Sequence, residues 1–283
     1  MKHVISLVLI LTYFTGYSQN PEAYKIYNAK GKKVSYKKMV KSLAKQDIVL
    51  FGEQHNSAII HWLQLEVTKK LNKSRTLELG IEMIEADNQD ALDLYMLDSI
   101  DQRGLDTLAR LWPNYKTDYA PLVNFAKANS LTVTATNIPR RYASMVYKVG
   151  FEALDTLTEV EKSWMAPLPM AFDANLATYQ SILKIMGTHG SPKLVMSQAT
   201  KDATMAHFIM ENHTEGNLFI HYNGAFHSDY YEGILWYLKR QSPSFRYATI
   251  STVVQSDVNT LEVEHLRKAD FVIVVDQDVT TTY

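Results

Sequence analysis

Short apolar runs alternate along this chain with longer segments in which apolar residues recur every three or four positions. The short runs predict β-strands at Asp47–Phe51, Thr76–Met83, Leu131–Thr136, Asn217–Tyr222, Tyr247–Val254 and Phe271–Val275. Between them, Ile60, Leu63 and Val67 form one face of a predicted helix, and Ser228–Arg240 has the same periodicity. Strands and helices in alternation predict an α/β fold with a mostly parallel central sheet flanked by helices.

The N-terminal segment has a different pattern from the rest of the chain. Lys2 precedes the largely apolar stretch Val4–Phe14, and small residues at either end of Gly16–Ser18 are typical of a cleavage site. We therefore predict a signal peptide over residues 1–18, since the stretch is shorter than the about 20 apolar residues of a membrane span. Residues 19–283 contain no linker or repeat and are predicted to form a single domain, periplasmic or secreted, with no stable membrane span.

Composition narrows the classes of partner. The chain has no cysteine, which excludes a disulfide framework, a cysteine-ligated metal and a lipid anchor on cysteine. Its 29 Lys and Arg residues balance 30 Asp and Glu residues. Because a nucleic-acid-binding surface needs an excess of clustered basic residues, we expect no nucleic-acid partner.

Polar side chains follow the predicted strands at their carboxyl ends, where the functional site of a parallel sheet is expected. Glu53, Glu82 and Arg140 each lie at or just after such an end, and two ends share a Gly-x-x-His pattern that places His55 and His227. Imidazole is the commonest metal ligand and titrates near neutral pH. His55, Glu82 and His227 are therefore candidate ligands of a divalent metal, and with Glu53 they are candidate acid–base residues.

An ordered set of residues between positions 40 and 255 carries a family resemblance. The set is Gly52-Glu53-Gln54-His55 with His61 and Gln64, Glu82-Met83, Trp112, Tyr119, Asn137 with Pro139-Arg140, Gln198 with Asp202, Met205 and Ala206, and Gly224 with His227. It resembles the ChaN-like haem-binding uptake family. That family shares a superfamily with the Tiki-type metalloproteases, the TraB/PrgY proteins and the erythromycin esterases.

The resemblance implies an exported bacterial protein that binds haem for haem and iron acquisition. It further implies a tyrosine ligand to the iron, two haems shared across a homodimer, and an outer-membrane haem uptake machinery as partner. One departure concerns the membrane: the named ChaN proteins are lipoproteins, and this chain has no cysteine to lipidate.

A ferric haem needs an axial donor, apolar walls and cations for its propionates. The candidate haem-binding residues are Tyr119, Tyr115 and Tyr142, in that order, for the iron, Arg140 and Arg141 for the propionates, and His55 and His61 as further contacts. The resemblance does not settle which tyrosine is the ligand.

A second interpretation uses the same residues for catalysis. Paired Gly-x-x-His motifs in the Tiki-like relatives imply a metal-dependent hydrolase, a protease or esterase, in which Glu53, His55, Glu82 and His227 hold a metal and activate water. A third interpretation is an exported scaffold whose polar edge is structural. The sequence leaves open whether the protein is an enzyme.

Overall fold

The computed structural model describes residues 22–283, so the predicted signal peptide lies outside the described residues. The strands of this range are β1 (Tyr24–Asn28), β2 (Ile48–Glu53), β3 (Leu77–Glu85), β4 (Thr132–Asn137), β5 (Leu218–Gly224), β6 (Tyr247–Gln255) and β7 (Phe271–Asp276). They form one seven-stranded sheet in the order β1-β7-β6-β2-β5-β3-β4. All neighbours pair in parallel except β1, which is antiparallel to β7, so the predicted mostly parallel sheet is confirmed.

The α-helices of the described residues lie between the strands. They are α1 (Tyr36–Leu43), α2 (Ala58–Leu71), α3 (Gln89–Met96), α4 (Gln102–Leu108), α5 (Ala120–Ala128), α6 (Arg140–Lys148), α7 (Glu159–Lys162), α8 (Ala177–Met186), α9 (Pro192–Asn212) and α10 (Ile234–Gln241). Within residues 22–283, none of them combines the length and the apolar character that crossing a membrane requires.

The central strand β2 shows how the sheet is covered on both faces. Side chains alternate along a strand, and Val49 and Phe51 join the core beneath α1, α2 and α5 on one face. Ile48 and Leu50 point the other way, into the core formed with α9 and α10. All of β2 is buried, as expected for a strand of a parallel sheet with helices on both sides.

The parallel order brings the carboxyl ends of β2, β3, β4 and β5 to one edge of the sheet. In the β2–β5 pairing, Glu53 lies opposite Gly224. The β3–β4 register shifts between Ile81 and Glu85, and Glu82 lies within that irregular stretch. A bulge of this kind redirects a side chain out of the regular alternation, so it helps to place Glu82 at the edge.

The predicted helix over Ser228–Arg240 is wrong in its first part, because α10 begins only at Ile234. Tyr230 and Tyr231 have φ values of 56° and 64°, and Gly233 has a φ of 56°. A Cβ on Gly233 would lie 2.3 Å from the carbonyl oxygen of His227, so this position requires glycine. Left-handed residues cannot continue a helix, and the segment instead forms a tight loop after His227.

Candidate functional site

A cleft of about 1320 Å³ opens at the carboxyl edge of the sheet. His55, Glu82 and His227 line it together, where the sequence predicts them. Its walls come from the segment before α5, from the start of α6 and from α9. The cleft therefore brings His55 and His227 together although 172 positions separate them in the sequence.

His55 is the more accessible of the two motif histidines, with 34% of its side chain exposed. Its Nδ1 lies 2.8 Å from Oε1 of the buried Glu53, two residues before it. Burial alone would lower the pKa of His55, but the hydrogen bond to Glu53 and the charge of Glu82 raise it above the ordinary value. Since Nδ1 is engaged, Nε2 is the nitrogen that His55 can offer to a ligand.

Glu53 is held by three further side chains. Tyr119 donates its hydroxyl to Oε1 at 2.7 Å, and Gln64 donates its amide to Oε2 at 2.5 Å. His61 lies 3.8 Å from Oε2 through Nδ1, while its Nε2 is 2.9 Å from the carbonyl oxygen of His55. Every member of this cluster supports the orientation of Glu53 or of His55, so the imidazole of His55 is positioned by a second layer of residues.

His227 has the opposite environment. It is buried between two carboxylates, with Nδ1 2.5 Å from Asp202 and Nε2 3.3 Å from Glu82. Burial alone would lower the pKa of His227, but the charges of Glu82 and Asp202 raise it to about 9. His227 is therefore protonated at neutral pH and neutralises a buried pair of acids.

Glu82 is the acid that remains ionised most firmly. Burial alone would raise its pKa, but the charge and hydrogen bond of His227 hold the pKa of Glu82 well below its usual range. The backbone N–H of Gly224 also donates to Glu82, at 2.6 Å. Asp202 accepts the hydroxyl of Tyr179 at 2.7 Å, and burial raises the pKa of Asp202. Because one imidazolium lies between two carboxylates, the three groups carry a net negative charge when both acids are ionised. This excess charge is consistent with the raised pKa of Asp202.

The close approach of the two motifs explains one of their glycines. A Cβ on Gly224 would lie 2.7 Å from Nε2 of His55. The absence of a side chain at Gly224 thus lets the first imidazole lie over the end of β5. The glycine of one motif makes room for the histidine of the other.

The rim of the cleft carries four cations, of which two are already neutralised. Arg110 pairs with Glu85 at 2.9 Å and also with Asp87, and Arg141 pairs with Asp87 at 2.6 Å. Arg140 and Lys201 also line the cleft, and neither forms an ion pair with any residue from 22 to 283.

An apolar and aromatic wall faces the rim. Trp112 lies edge to face with His55, with 4.9 Å between the ring centroids. Pro113 and Ile138 extend this lining. The cleft therefore combines apolar walls with basic residues, a composition suited to a flat apolar ligand that carries acidic groups.

The three tyrosines predicted as haem ligands lie outside the cleft lining. Tyr119 is buried and its hydroxyl is bonded to Glu53; burial raises its pKa strongly. Tyr115 is buried with no partner for its hydroxyl among the described residues, and burial raises its pKa as well. Tyr142 accepts a hydrogen bond from Arg141 and donates to Glu161 at 3.0 Å. The tyrosine that lines the cleft is Tyr283.

The metal interpretation can be tested on the donor atoms. Across residues 22–283, three potential ligands approach within 4.8 Å of one another only at Glu262, Glu264 and His265, on the surface. The donor atoms of His55, Glu82 and His227 do not meet that spacing.

Several site residues carry no clear signal in the sequence. Asp202 and Gln198 are the exception: they belong to the set that carries the resemblance, and they contact His227, Gln198 at 3.0 Å from Nδ1. Lys201 and Thr282 line the cleft although neither belongs to a recognisable motif. Thr282 donates to Asp118 at 2.8 Å, a contact that only the tertiary structure reveals.

Comparisons with known proteins agree with this architecture. A sequence model of a family described as haem-binding uptake, Tiki superfamily, ChaN matches residues 39–238. The fold is similar to that of ChaN of Campylobacter jejuni, solved with cofacially bound haem, at a TM-score of 0.66 and 18% identity over 89% of this chain and 96% of that one.

Two further structures are more distant. A protein of Bacillus cereus has a TM-score of 0.51 and 13% identity, over 84% of this chain and 90% of its own. A mutant erythromycin esterase in its open conformation has a TM-score of 0.48 and 10% identity, over 82% of this chain and 77% of its own. No curated protein matches the chain significantly in sequence.

Proposed function

Since this chain belongs to the haem-binding uptake family of the Tiki superfamily that includes ChaN, we propose that its cleft binds haem. The observation that carries the proposal is the cleft itself, about 1320 Å³ in volume. It exceeds the roughly 300–1,000 Å³ of common small-molecule sites and so has room for a macrocycle. Trp112, Pro113 and Ile138 supply an apolar wall, and the basic rim suits propionates.

His55 is the residue best placed to contact the iron. Its Nε2 makes no hydrogen bond within residues 22–283, and the ring is oriented through Nδ1 by Glu53. A carboxylate behind an imidazole fixes its tautomer and raises its basicity as a ligand. The phenols of Tyr119, Tyr115 and Tyr142 are buried, and ionising them is opposed by that burial. Bound haem would supply a redox-active iron, and the protein's contribution is to hold and orient it.

Titration of the purified protein with hemin, followed by visible absorption, tests this proposal. His55→Ala is expected to weaken hemin binding at least tenfold and to alter the spectrum, because the nitrogen donor is lost. The variants Tyr119→Phe, Tyr115→Phe and Tyr142→Phe are expected to retain hemin binding. His189→Ala, at an exposed histidine outside the cleft, is the matched control.

Two results would count against this assignment. Loss of a tyrosinate charge-transfer band in one of the three phenylalanine variants would restore that tyrosine as the ligand. Absence of any hemin binding by the folded wild-type protein would refute the proposed function.

We also propose that the protein acts outside the cytoplasm in haem and iron acquisition, passing haem to an uptake machinery in the outer membrane. The family description and the predicted signal peptide support this role. Intact mass of the exported protein tests it, with an expected N-terminus at Gln19. A shared pair of haems across a homodimer is tested by sedimentation with and without hemin.

A hydrolase is the second candidate, favoured by one observation. Each motif histidine is hydrogen-bonded to a buried carboxylate, Glu53 or Asp202, as in general acid–base sites. The metal-dependent form has less support, because the donors of His55, Glu82 and His227 are not gathered around one point. Metal analysis of the purified protein tests the metal-dependent form: a stoichiometric divalent metal would favour it.

A further inference from the structure

The first turn of α6 forms one corner of the cleft, and its helix end is uncapped. Arg140, Arg141 and Ser144 of this helix line the cleft. The N-cap position is Pro139, which provides no side-chain hydrogen bond, and the first turn contains no acidic residue. The N–H of Tyr142 donates to the carbonyl oxygen of Pro139 at 2.9 Å, and the N–H groups of Arg140 and Arg141 are left for water or a ligand to satisfy.

The charges at this helix end oppose the usual preference. The N-terminus of a helix carries a partial positive charge, and acidic residues normally stabilise it. Here α6 begins with two arginines, Arg140 and Arg141. Such a local conflict is expected at a functional site, where a bound group compensates for it. The compensating group must be an anion, because only negative charge relieves both the helix end and Arg140, whereas Arg141 is already paired with Asp87.

Asn137 gives an independent indication of a ligand at the same corner. It is the last residue of β4, lines the cleft and is only 8% exposed. Its Oδ1 is buried without a hydrogen-bond partner among residues 22–283. Its Nδ2, a donor of two hydrogen bonds, is not sealed in the same way and also has no partner among these residues. An oxyanion in the cleft would accept a hydrogen bond from this Nδ2.

The cations of the rim differ in availability. Arg141 is committed to Asp87, at 2.6 Å, so its charge is already neutralised. Arg140 has no ion pair within the described residues, and Lys201 reaches the cleft from α9, which packs against both α6 and β4. The free positive charge of this region therefore comes from Arg140, Lys201 and the helix end.

We propose that Asn137, Arg140, Lys201 and the backbone N–H groups of Arg140 and Arg141, here called the α6 corner, form a binding site for a carboxylate group of the ligand in the cleft. The inference rests on the proposed function in that the ligand is haem and the carboxylate is a propionate. It differs from the expectation that Arg140 and Arg141 act together, because it replaces Arg141 with Lys201 and adds Asn137.

The test compares ferric haem with its dimethyl ester, in which both carboxylates are blocked. Wild-type protein is expected to bind haem at least about tenfold more tightly than the ester, since charge-assisted hydrogen bonds are lost. Arg140→Gln should weaken haem binding by a similar factor and leave ester binding unchanged. Lys201→Gln should show a smaller selective loss, and Arg141→Gln a loss smaller than that of Arg140→Gln. Arg103→Gln, at an exposed arginine outside the cleft, is the matched control.

Equal affinity of the wild type for haem and the ester would refute the carboxylate site at the α6 corner but would leave the proposal of haem binding intact. So would an Arg140→Gln variant that binds haem as well as Arg103→Gln does. If haem binds to no form of the folded protein, the proposed function fails, and the corner is then tested with succinate and inorganic phosphate. A rise in melting temperature with either anion over chloride at equal ionic strength, lost in Arg140→Gln, would support an oxyanion site. No rise would refute it.

Discussion

His55 and His227 end equivalent Gly-x-x-His motifs on adjacent parallel strands, yet they lie in opposite electrostatic environments. His55 is one-third exposed and has one carboxylate partner, Glu53. His227 is buried and lies between Glu82 and Asp202. The first can present a ring nitrogen to the cleft, whereas the second has both nitrogens occupied. The residues behind each histidine, and not the motif, therefore decide its role.

The largest expected difference between the two positions is in stability. His227→Ala leaves two buried acids without their cation, and breaking a buried pair in this way costs about 3–5 kcal/mol of the free energy of unfolding. His55→Ala should cost about 1 kcal/mol, because the side chain is partly exposed and Glu53 keeps Gln64 and Tyr119 as donors. Urea unfolding followed by circular dichroism measures both. Equal losses would show that the two environments do not differ as described.

A smaller change in the free energy of unfolding is expected when the pH is raised. The pKa of His227 rises from the ordinary 6.5 to about 9, because its two acids outweigh burial. A raised pKa in the folded state means that this stabilisation is complete below pH 6.5 and is lost as pH rises through 9. The loss amounts to about 3 kcal/mol across that window. His227→Gln should lack this slope in urea unfolding, and a flat wild-type profile would contradict the protonated His227.

The motif glycines provide the next comparison. A Cβ on Gly52 would lie 2.9 Å from the backbone atoms Ala225 Cα and Ile250 O, which cannot move freely. Gly52→Ala should therefore cost about 2–3 kcal/mol in the free energy of unfolding. A Cβ on Gly224 meets the partly exposed ring of His55, so Gly224→Ala should cost less stability but weaken hemin binding. The opposite ranking in thermal melts would refute this distinction.

Two buried tyrosines, Tyr179 and Tyr119, give a small effect and the finest distinction between the two histidine environments. Tyr179 donates to Asp202 and Tyr119 to Glu53, each at 2.7 Å. Replacing either with Phe should cost about 1.5 kcal/mol, the value of a hydrogen bond to a charged group. Only Tyr119→Phe should move the pH dependence of hemin binding, because Glu53 sets the basicity of His55. Hemin titrations from pH 6 to 9 measure this, and a shift in Tyr179→Phe as well would contradict it.

The sequence predicts both the parallel sheet and the meeting of His55, Glu82 and His227 at its edge, and it does so for one physical reason. Apolar runs of strand length define the parallel strands, and parallel order alone brings their carboxyl ends to one edge. His55, Glu82 and His227 therefore line the same cleft, as the sequence predicts. Side-chain direction does not follow from that pattern. Tyr119 ends a single π-helical turn, Tyr115–Tyr119, and points inward to Glu53. The pairing of Arg141 with Asp87 likewise joins residues from separate elements.

The position of β2 has a consequence for the order of folding. Its neighbours in the sheet are β5 and β6, which lie more than 160 residues later in the chain. None of β1, β3 and β4, which precede β5 in the sequence, is adjacent to β2. Pairings of such long range carry a high entropic cost and slow the folding reaction. Until β5 and β6 pair with it, β2 is an exposed apolar segment of the kind that makes folding intermediates prone to aggregate. Because β5 also carries the second histidine motif, the step that completes the sheet is the same step that assembles the cleft.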